Sequence, residues 1–451
     1  MMPSRKICKT IHQYNKEPIP HEDMCKLQEI AQDYSKVKNY VYQRYGGISS
    51  LSKIYPGYTV QNEMTASGLR SQLGLPAVYF YLAVFDALGD IKTQWSKTKN
   101  DILDAIRVND RFTPADRHYL RFVIKVSGCF DNIVNGKEIV VPKAMAQQFN
   151  DILAQMTNLP SAGVENLNKY LCRQVRRKLC KLHTDKEDGF SITERAYRYG
   201  MCGKKQGIFI STKENRKRVF IPLTDENCYN KQLYIKLMPN RSSIKIDVPI
   251  EVKIQQHKDY QNEIGISIGV WQMFTTDRGT IYGEQFGKLH EELVEYMRTA
   301  SKTYYREKAN NPGREKYKAR KAKLDARLEA YINQEINRLL IQEKPYKIYL
   351  PKLPRNSIAG HNRKINYSIT VWRKGFIRNR LEQKCKENAV EIVEVFGKGI
   401  STECSVCGAS TTGNKDLFVC SSCGYQADKK INAAQNAIKR GKAEQQHTIN
   451  K

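Results

Sequence analysis

The sequence predicts a multidomain α+β protein, and three observations lead to this prediction. The chain has 451 residues, enough for about three domains with their own cores. Helical periodicity over the first part gives way to alternating strands, and strands separated by helices then return. The net charge of +29 comes from 75 basic and 46 acidic residues spread along the chain. Such a distribution suits a long phosphate footprint and favours a nucleic-acid partner.

The N-terminal part predicts a strand followed by a long helical region. Residues 1–18 form one strand and a turn, and helical periodicity runs from 19 to about 180. The first helix ends at Gly46-Gly47, and another begins with a capping box at Thr113-Pro114-Ala115-Asp116. The aromatic stretch 78–95 is predicted to pack in the core, with base stacking as the alternative.

From about 197 to 257 the pattern changes to half-buried strands. Segments that begin at Gly207, Arg218, Gln232 and Ser243 alternate apolar and polar residues. The first two flank a polar turn over 212–217. We therefore predict a β-rich region here.

The second half predicts a sheet interrupted by helices. Three strands over 263–286 precede a helical hairpin that is broken at Asn310-Asn311-Pro312-Gly313. A strand at 346–350, a helix at 366–388 and a strand at 391–396 follow. A last helix over 431–440 is predicted to end at Gly441, with a frayed polar tail after it.

Two groups of basic residues, and a pair beside the polar turn, are candidate phosphate contacts. The three- and four-residue steps from Arg173 place Arg173, Arg176 and Arg177 on one face of a helix. We predict that this face contacts phosphate, and the alternative is that it is a charged face exposed to solvent. The first group and the pair are Arg173, Arg176, Arg177, Lys178, Arg216 and Arg218. The second group lies in the helical hairpin and comprises Arg314, Lys316, Lys318, Arg320, Lys321, Lys323 and Arg327.

Four cysteines near the C-terminus predict a structural zinc site. Cys404 and Cys407 form one C-x-x-C pair, and Cys420 and Cys423 form a second pair twelve residues later. Two such turns supply four thiolates in a tetrahedron and leave no ligand position open. The alternative is four ordinary buried cysteines. The other eight cysteines lack ligand spacing, which favours a reduced cytosol.

The same segment resembles a known family. Cys-x-x-Cys-Gly, Cys-x-x-Cys-Gly-Tyr and Asn-Ala-Ala-x-Asn, here Cys404 to Asn436, resemble the end of the nuclease domain of TnpB proteins and compact type V CRISPR effectors. The resemblance has specific motifs over about 259–441. It implies an RNA guide, a double-stranded DNA target and a RuvC-like domain in which three carboxylates hold two divalent metals.

The three carboxylate positions of that family are all replaced in this sequence. Ser267 stands at the aspartate of the first motif, Pro351 at the glutamate of the second and Lys430 at the aspartate of the third. Serine is a poor neutral ligand, proline has no side-chain oxygen, and lysine carries a positive charge. We therefore expect no catalytic residues and no catalytic magnesium.

Four other carboxylates are candidate substitutes for the lost ligands. Asp277, Asp428, Glu391 and Glu394 lie near the lost positions in sequence. Three independent displacements are required to rebuild the site, so a nuclease with relocated ligands is the less favoured hypothesis.

The resemblance also implies a domain layout. Residues 1–18 and 196–258 would form a wedge β-barrel, interrupted by a helical recognition lobe at 19–195. Residues 259–403 and 428–451 would form the RuvC-like α/β domain, of RNase H type, with a helical hairpin at 287–345 and the zinc ribbon inserted at 404–427.

The sequence and the resemblance together imply an RNA-guided DNA-binding protein without nuclease activity. It would act by occupying a target and repressing transcription, or by recruiting a transcription or transposition partner. The remaining alternative is an unguided zinc protein of a mobile element that binds nucleic acid. No apolar run is of membrane-spanning length and no signal peptide opens the sequence, so we expect a cytoplasmic, nucleoid-associated prokaryotic protein.

Overall fold

The computed structural model describes residues 6–158, 161–306, 312–352, 363–411 and 417–449. The chain divides into two compact units. One unit comprises residues 9–250, and the other comprises residues 1–8 and 251–451. No helix in the described ranges is long and apolar enough to cross a membrane.

The unit of residues 9–250 combines a helical region with antiparallel strands. Its elements in chain order are β1 (Lys6–Tyr14), α1 (His21–Tyr45), α2 (Tyr58–Ala66), α3 (Leu69–Leu73), α4 (Ala77–Arg107), α5 (Pro114–Lys125), α6 (Ser127–Val134), α7 (Ala146–Asn158), α8 (Val164–Lys178), β2 (Gly189–Ile192), β3 (Tyr197–Cys202), β4 (Lys205–Ser211), β5 (Arg218–Pro222), β6 (Leu233–Met238) and β7 (Ser243–Lys253). The strands form a four-stranded sheet in the order β1-β7-β6-β2 and a three-stranded sheet in the order β3-β4-β5.

Helices and strands of this unit share one hydrophobic core. Tyr79 of α4 is buried, stacks edge-on against Phe190 of β2 and donates a hydrogen bond to the Ser211 carbonyl at 2.6 Å. Asp86 of α4 accepts hydrogen bonds from Tyr34 of α1 and Ser191 of β2. The aromatic stretch of α4 therefore packs in the core, as predicted, and its buried rings are not available for base stacking.

Several local predictions in this unit are confirmed, and the structure adds a short strand. α1 ends at Tyr45 with Gly46 as its cap, and Thr113 forms the predicted capping box with Asp116. The strand Gly189–Ile192 follows the predicted helical periodicity, which ends at about residue 180, and lies within the region 19–195 for which the resemblance implies a helical lobe. Its four residues are all buried and pair antiparallel with β6. Because both faces of the strand are buried, its sequence lacks the alternation of apolar and polar residues by which a half-buried strand is predicted.

The second unit is a five-stranded sheet with helices. Its elements are β8 (Asn262–Ile268), β9 (Phe274–Thr276), β10 (Ile281–Tyr282), α9 (Phe286–Arg306), α10 (Pro312–Glu343), β11 (Pro345–Lys352), α11 (Arg363–Val371), α12 (Lys374–Glu387), β12 (Glu391–Phe396), β13 (Leu417–Val419), β14 (Gln426–Asp428) and α13 (Lys429–Ile449). β13 and β14 form a separate hairpin.

The order of the large sheet decides where its side chains meet. The strand order is β10-β9-β8-β11-β12. β9 pairs antiparallel with both β8 and β10, and β11 pairs parallel with both β8 and β12. The carboxyl ends of β8, β11 and β12 therefore lie along one edge of the sheet, which we call the carboxyl edge. This edge positions the three motif residues.

Two predictions about helices in this unit are corrected. The single helix expected over 366–388 is divided into α11 and α12. α13 does not end at Gly441 but continues to Ile449. A Cβ on Gly441 would lie 2.2 Å from Cδ1 of Tyr349 in β11. This glycine therefore allows close helix–strand packing instead of ending the helix.

Candidate functional site

The four cysteines converge in a geometry that fits one zinc ion. All four sulfur atoms lie within 4.8 Å of one another. Among the described residues, no other three His, Cys, Asp or Glu side chains lie close enough together to hold a metal ion. The Sγ atoms of Cys404 and Cys423 are 3.7 Å apart, and those of Cys407 and Cys420 are 3.5 Å apart. A tetrahedron with Zn–S bonds of about 2.3 Å has edges of roughly 3.8 Å.

Each cysteine pair lies on a tight turn that a glycine closes. Gly408 donates from its backbone N–H to the carbonyl of Cys404, and Gly424 donates likewise to Cys420. Both glycines have positive φ, 80° and 75°, a conformation that favours glycine. The backbone N–H groups of Cys423 and Ser422 lower the pKa of Cys420 to about 6. A thiolate is the form that binds zinc.

Two buried asparagines of α13 hold the cysteine segment in place. Asn432 accepts a hydrogen bond from the Ser405 N–H at 3.0 Å and donates to the Glu403 carbonyl at 2.8 Å. Asn436 donates to the carbonyls of Ile400 and Glu403 at 2.9 and 2.6 Å. The sequence shows these asparagines as part of a motif, but their positioning role is visible only in the structure.

Replacing one ligand is expected to release the metal. We expect purified protein to carry one zinc per chain and Cys404→Ser to lose most of it, because binding energy is folding energy in such a site. The same change should loosen residues 400–436, measured by hydrogen exchange. Cys202→Ser, at an exposed cysteine of the other unit, is the control. Zinc well below one per chain in fresh wild-type protein would contradict the assignment.

The positions of the first family motif face α13 along β8. A Cβ on Gly265 would lie 2.0 Å from the Ala434 carbonyl, and one on Gly269 would lie 3.9 Å from Lys430 Cε. Side chains two residues apart on a strand share a face. Ser267, between these glycines, therefore also faces α13 at the carboxyl edge.

The other two motif positions lie at the same edge. Pro351 is buried near the end of β11 and pairs with Val395 of β12. It shares its face with Tyr349, which packs against α13 at Gly441. Lys430 is the second residue of α13, and its Nζ donates to Gln272 Oε1 at 2.6 Å, just beyond β8. The structure thus brings Ser267, Pro351 and Lys430 to one side of one edge.

Two of the weighed carboxylates are engaged in holding backbone. Asp277 accepts a hydrogen bond from the Gly265 N–H at 2.9 Å, and burial raises the pKa of Asp277. Asp428 accepts from the Lys430 N–H at 2.7 Å and caps the start of α13. Each carboxylate therefore has a structural use in the fold.

The two glutamates of β12 are paired with cations. Glu391 lies 3.3 Å from Lys347 Nζ at the amino end of the strand, and Glu394 pairs with Arg378 of α12. In addition, the stretch 353–362, which lies outside the described residues, contains neither aspartate nor glutamate. The described residues place no cluster of three carboxylates at the carboxyl edge.

One arginine of α8 lines a large groove. One face of α8 is buried through Leu167, Leu171 and Val175. The helix exposes Arg173, Arg176 and Arg177 to solvent, and Lys178 is half-buried. A cavity of about 1440 Å³ opens between α1, α8 and residues 179–183. Of the four predicted residues, Arg176 lines this groove. Lys36 and Lys181 join it, and none of the described lining residues is acidic.

The pair in the β4–β5 hairpin lies on the surface. Arg216 and Arg218 are both exposed, and Arg216 has a φ of 61°, so it forms part of the turn itself. Both side chains are therefore accessible to a ligand, and their contact with nucleic acid stays a prediction.

Some basic residues of α10 form intramolecular contacts. Lys321 pairs with Asp325 at 2.7 Å, Arg327 pairs with Glu292 of α9 at 3.2 Å, and Arg320 lies over the ring of Tyr296. Lys316 and Lys323 are exposed and have no carboxylate partner among the described residues. Lys318 is exposed and has a contact of its own. The side chain of Arg314 lies outside the described residues.

This difference predicts unequal contributions to nucleic-acid binding. Neutralising Lys316 and Lys323 together to glutamine should lower the slope of log K against log salt by roughly 1.8 for a duplex, about 0.9 per lost phosphate contact. The matched double change Lys321→Gln and Arg327→Gln should lower it less, because those cations are already paired. Equal slopes for wild type and the first variant would show that this face of α10 is solvated.

Comparisons with known proteins agree with the C-terminal motifs. Residues 375–437 match the family model described as Cas12f1-like, TNB domain. A TnpB-like protein, aq_aa05, of Aquifex aeolicus (strain VF5) is 32% identical over 82 residues. That match covers 17% of this chain and 27% of the relative, so it spans about a quarter of the relative's length.

Solved structures give weak similarity over the full length. The cryo-EM structure of a Cas12f1-sgRNA-target DNA complex has a TM-score of 0.46 and 13% identity, covering 96% of this chain and 98% of the other. The structure of CasPhi-2 (Cas12j) bound to crRNA has a TM-score of 0.45 and 9% identity, with the same coverage.

Proposed function

We propose that this protein is a member of the TnpB and compact type V effector family, which its C-terminal matches support, and that it binds DNA through an RNA guide without cutting it. The sheet order supports an RNase H-like arrangement for the second unit, with α13 packed on β8 where that fold carries its nuclease site. The first unit would supply the wedge and recognition lobe. Guide pairing would read the target sequence, and the protein would hold the heteroduplex through its backbone.

One observation carries the proposal that cleavage is lost. Ser267, Pro351 and Lys430 lie together at the carboxyl edge, where two-metal hydrolysis needs several anionic ligands. The hydroxyl, the proline ring and the ammonium group cannot supply them. The nearby carboxylates hold backbone or pair with cations. A relocated metal site is therefore the less supported function.

The chemistry of the cysteine site supports a structural zinc as the cofactor. Four sulfur atoms close the coordination shell and leave no position for water or substrate. The ion would stiffen the segment that α13 anchors beside the carboxyl edge. It would not take part in hydrolysis.

The experiment that tests the function is sequencing of the RNA bound to purified protein. One defined RNA whose variable segment matches a DNA target supports guided binding. A mixture of cellular RNA without a common scaffold would contradict it and favour an unguided zinc protein. The guided complex is then incubated with matched duplex DNA and Mg²⁺ or Mn²⁺, and cleavage there would establish relocated ligands.

Binding without cleavage allows two outputs. Occupancy of a promoter represses transcription, and this is the simpler output because it requires no further protein. Recruitment of a transcription or transposition partner is the second, and increased expression at a guided site would favour it.

A further inference from the structure

The groove between α1, α8 and residues 179–183, which we call the α1–α8 groove, has no role in the proposed function. Its cavity of about 1440 Å³ is larger than the roughly 300–1000 Å³ that small-molecule sites enclose. α1 lines it from Lys36 to Gly46, which is about 15 Å, or nearly three helical turns, at about 1.5 Å per residue. The groove therefore has room for a segment of another macromolecule.

Hydrogen bonds hold the elements that line the α1–α8 groove. Asn39 of α1 donates to the Thr184 carbonyl and accepts from the Thr184 N–H, both at 2.9 Å, so the lining segment 179–183 is fastened to α1. The thiol of Cys172 on α8 donates to the Ile133 carbonyl of α6 at 3.3 Å. A groove that is formed before binding loses little conformational entropy when a partner enters it.

The apolar part of the lining is mainly aliphatic. Five aliphatic side chains line the groove and keep part of their surface exposed: Ile48, Leu69, Leu73, Leu179 and Leu182. Of the two tyrosines in the lining, Tyr42 is buried and Tyr40 is half-buried. Aliphatic side chains offer no ring on which a base stacks, whereas they match the apolar stripe of an amphipathic helix. The lining therefore favours a protein helix over a nucleic-acid strand.

The charges in the lining are positive. Within the described ranges, no aspartate or glutamate lines the α1–α8 groove. Lys36 is paired with Asp33 at 2.9 Å. Arg176 and Lys181 are exposed and have no carboxylate partner in the part of the chain that the structure describes. Apolar surface beside two such cations complements a helix whose apolar stripe is flanked by aspartate or glutamate.

We propose that the α1–α8 groove binds an acidic amphipathic helix of a partner protein. Leu73 and Leu182 contact the apolar stripe of that helix, and Arg176 and Lys181 pair with the acidic residues beside the stripe. The proposal rests on the proposed function in one respect, because the partner is taken to be a protein that the DNA-bound complex recruits. The groove would then bring that partner to the guided DNA site.

A synthetic helix of this chemistry provides the test. The probe is a fluorescent peptide of about 18 residues with leucine at helical i, i+3, i+4 and i+7 spacing and glutamate elsewhere. Its binding to purified full-length protein is measured by fluorescence anisotropy. The same residues in scrambled order have no apolar stripe, and a central proline breaks the helix. Both control peptides should therefore bind at least about 10-fold more weakly than the probe.

Matched variants test whether the peptide lies in the groove. Arg176 and Arg177 are adjacent and both exposed, but Arg177 does not line the groove. Arg176→Glu should weaken peptide binding roughly 5-fold, whereas Arg177→Glu, with the same change in net charge, should leave it close to wild type. Leu73→Glu puts a charge on the apolar lining and should weaken binding at least about 10-fold. Leu153→Glu, at a half-buried leucine of α7 outside the groove, is its control.

Several outcomes would overturn the proposal. Absence of peptide binding would do so, and equal binding of the scrambled peptide or equal losses in the two arginine variants would indicate general electrostatics. Displacement of the peptide by an oligouridine strand that Arg176→Glu weakens and Arg177→Glu does not would assign the groove to nucleic acid. Self-association of wild type that Leu73→Glu abolishes would assign it to a second copy of the chain. The titration needs no guide, so its failure would leave guided DNA binding standing, which RNA sequencing tests separately.

Discussion

A guided complex over a promoter is expected to lower transcription and leave the DNA intact. Opening about 20 base pairs exchanges duplex for heteroduplex at nearly equal free energy, so protein contacts to the backbone decide occupancy. The net charge of +29 provides such contacts. Because the proposed loss of cleavage leaves the DNA uncut, we expect the bound complex to persist. A reporter with a matched site measures the repression, and sequencing of the site measures damage.

Two further experiments test the expected repression and the expected lack of cleavage. Mismatches beside the recognition motif should relieve repression more than distal ones, because pairing starts there. The variant Ser267→Asp, Pro351→Glu and Lys430→Asp restores the three carboxylates, whereas Ser267→Asp alone supplies too few ligands for two metals. Cutting only by the triple variant would show that metal ligands are all that wild type lacks. Cutting by wild type would refute loss of cleavage, and confirmed binding without a change in expression would refute repression.

Gly265→Ala is expected to destabilise the second unit by about 3 kcal/mol or more, the upper range for overpacking. The new Cβ would lie 2.0 Å from the Ala434 carbonyl and 2.9 Å from Ile438 Cγ1. Because the first obstacle is backbone, α13 must move away from β8, and the asparagines that anchor the cysteine segment move with it. Urea unfolding and retained zinc measure the two effects.

A second glycine of the same unit provides the control. Gly375 lies in the first turn of α12, and a Cβ there would meet nothing within 4 Å. Gly375→Ala should therefore be neutral or stabilise by up to about 1 kcal/mol through reduced backbone entropy. Equal stability of the Gly265→Ala and Gly375→Ala proteins would mean that α13 does not pack on β8 as described.

Local rules were sufficient to predict much of the fold and the cluster of four cysteines. The pairs at Cys404 and Cys420 specify a tetrahedral thiolate site because each turn closes within a few residues. The same holds for the cap of α5 at Thr113, for the end of α1 at Gly46 and for the alternating strands β4 to β7. These features depend on neighbours in sequence, which a pattern records directly.

Other features depend on partners that are distant in sequence. Gly441 looks like a helix stop, yet α13 continues because the glycine lets it approach Tyr349. Lys321 and Arg327 look like free phosphate contacts until Asp325 and Glu292 are placed beside them. A pattern of residue types contains no such partner, so propensity and charge alone gave the wrong boundary and an undivided basic surface.

The order of residue types alone identifies the four cysteines, the basic charge and the residues at the three motif positions. Tertiary packing brings Ser267, Pro351 and Lys430 to one side of one edge. Their meeting requires parallel pairing of β8 with β11 and packing of α13 across both strands. Strand order and helix docking arise from burial of a common core, which joins residues that are 79 or more positions apart in the sequence.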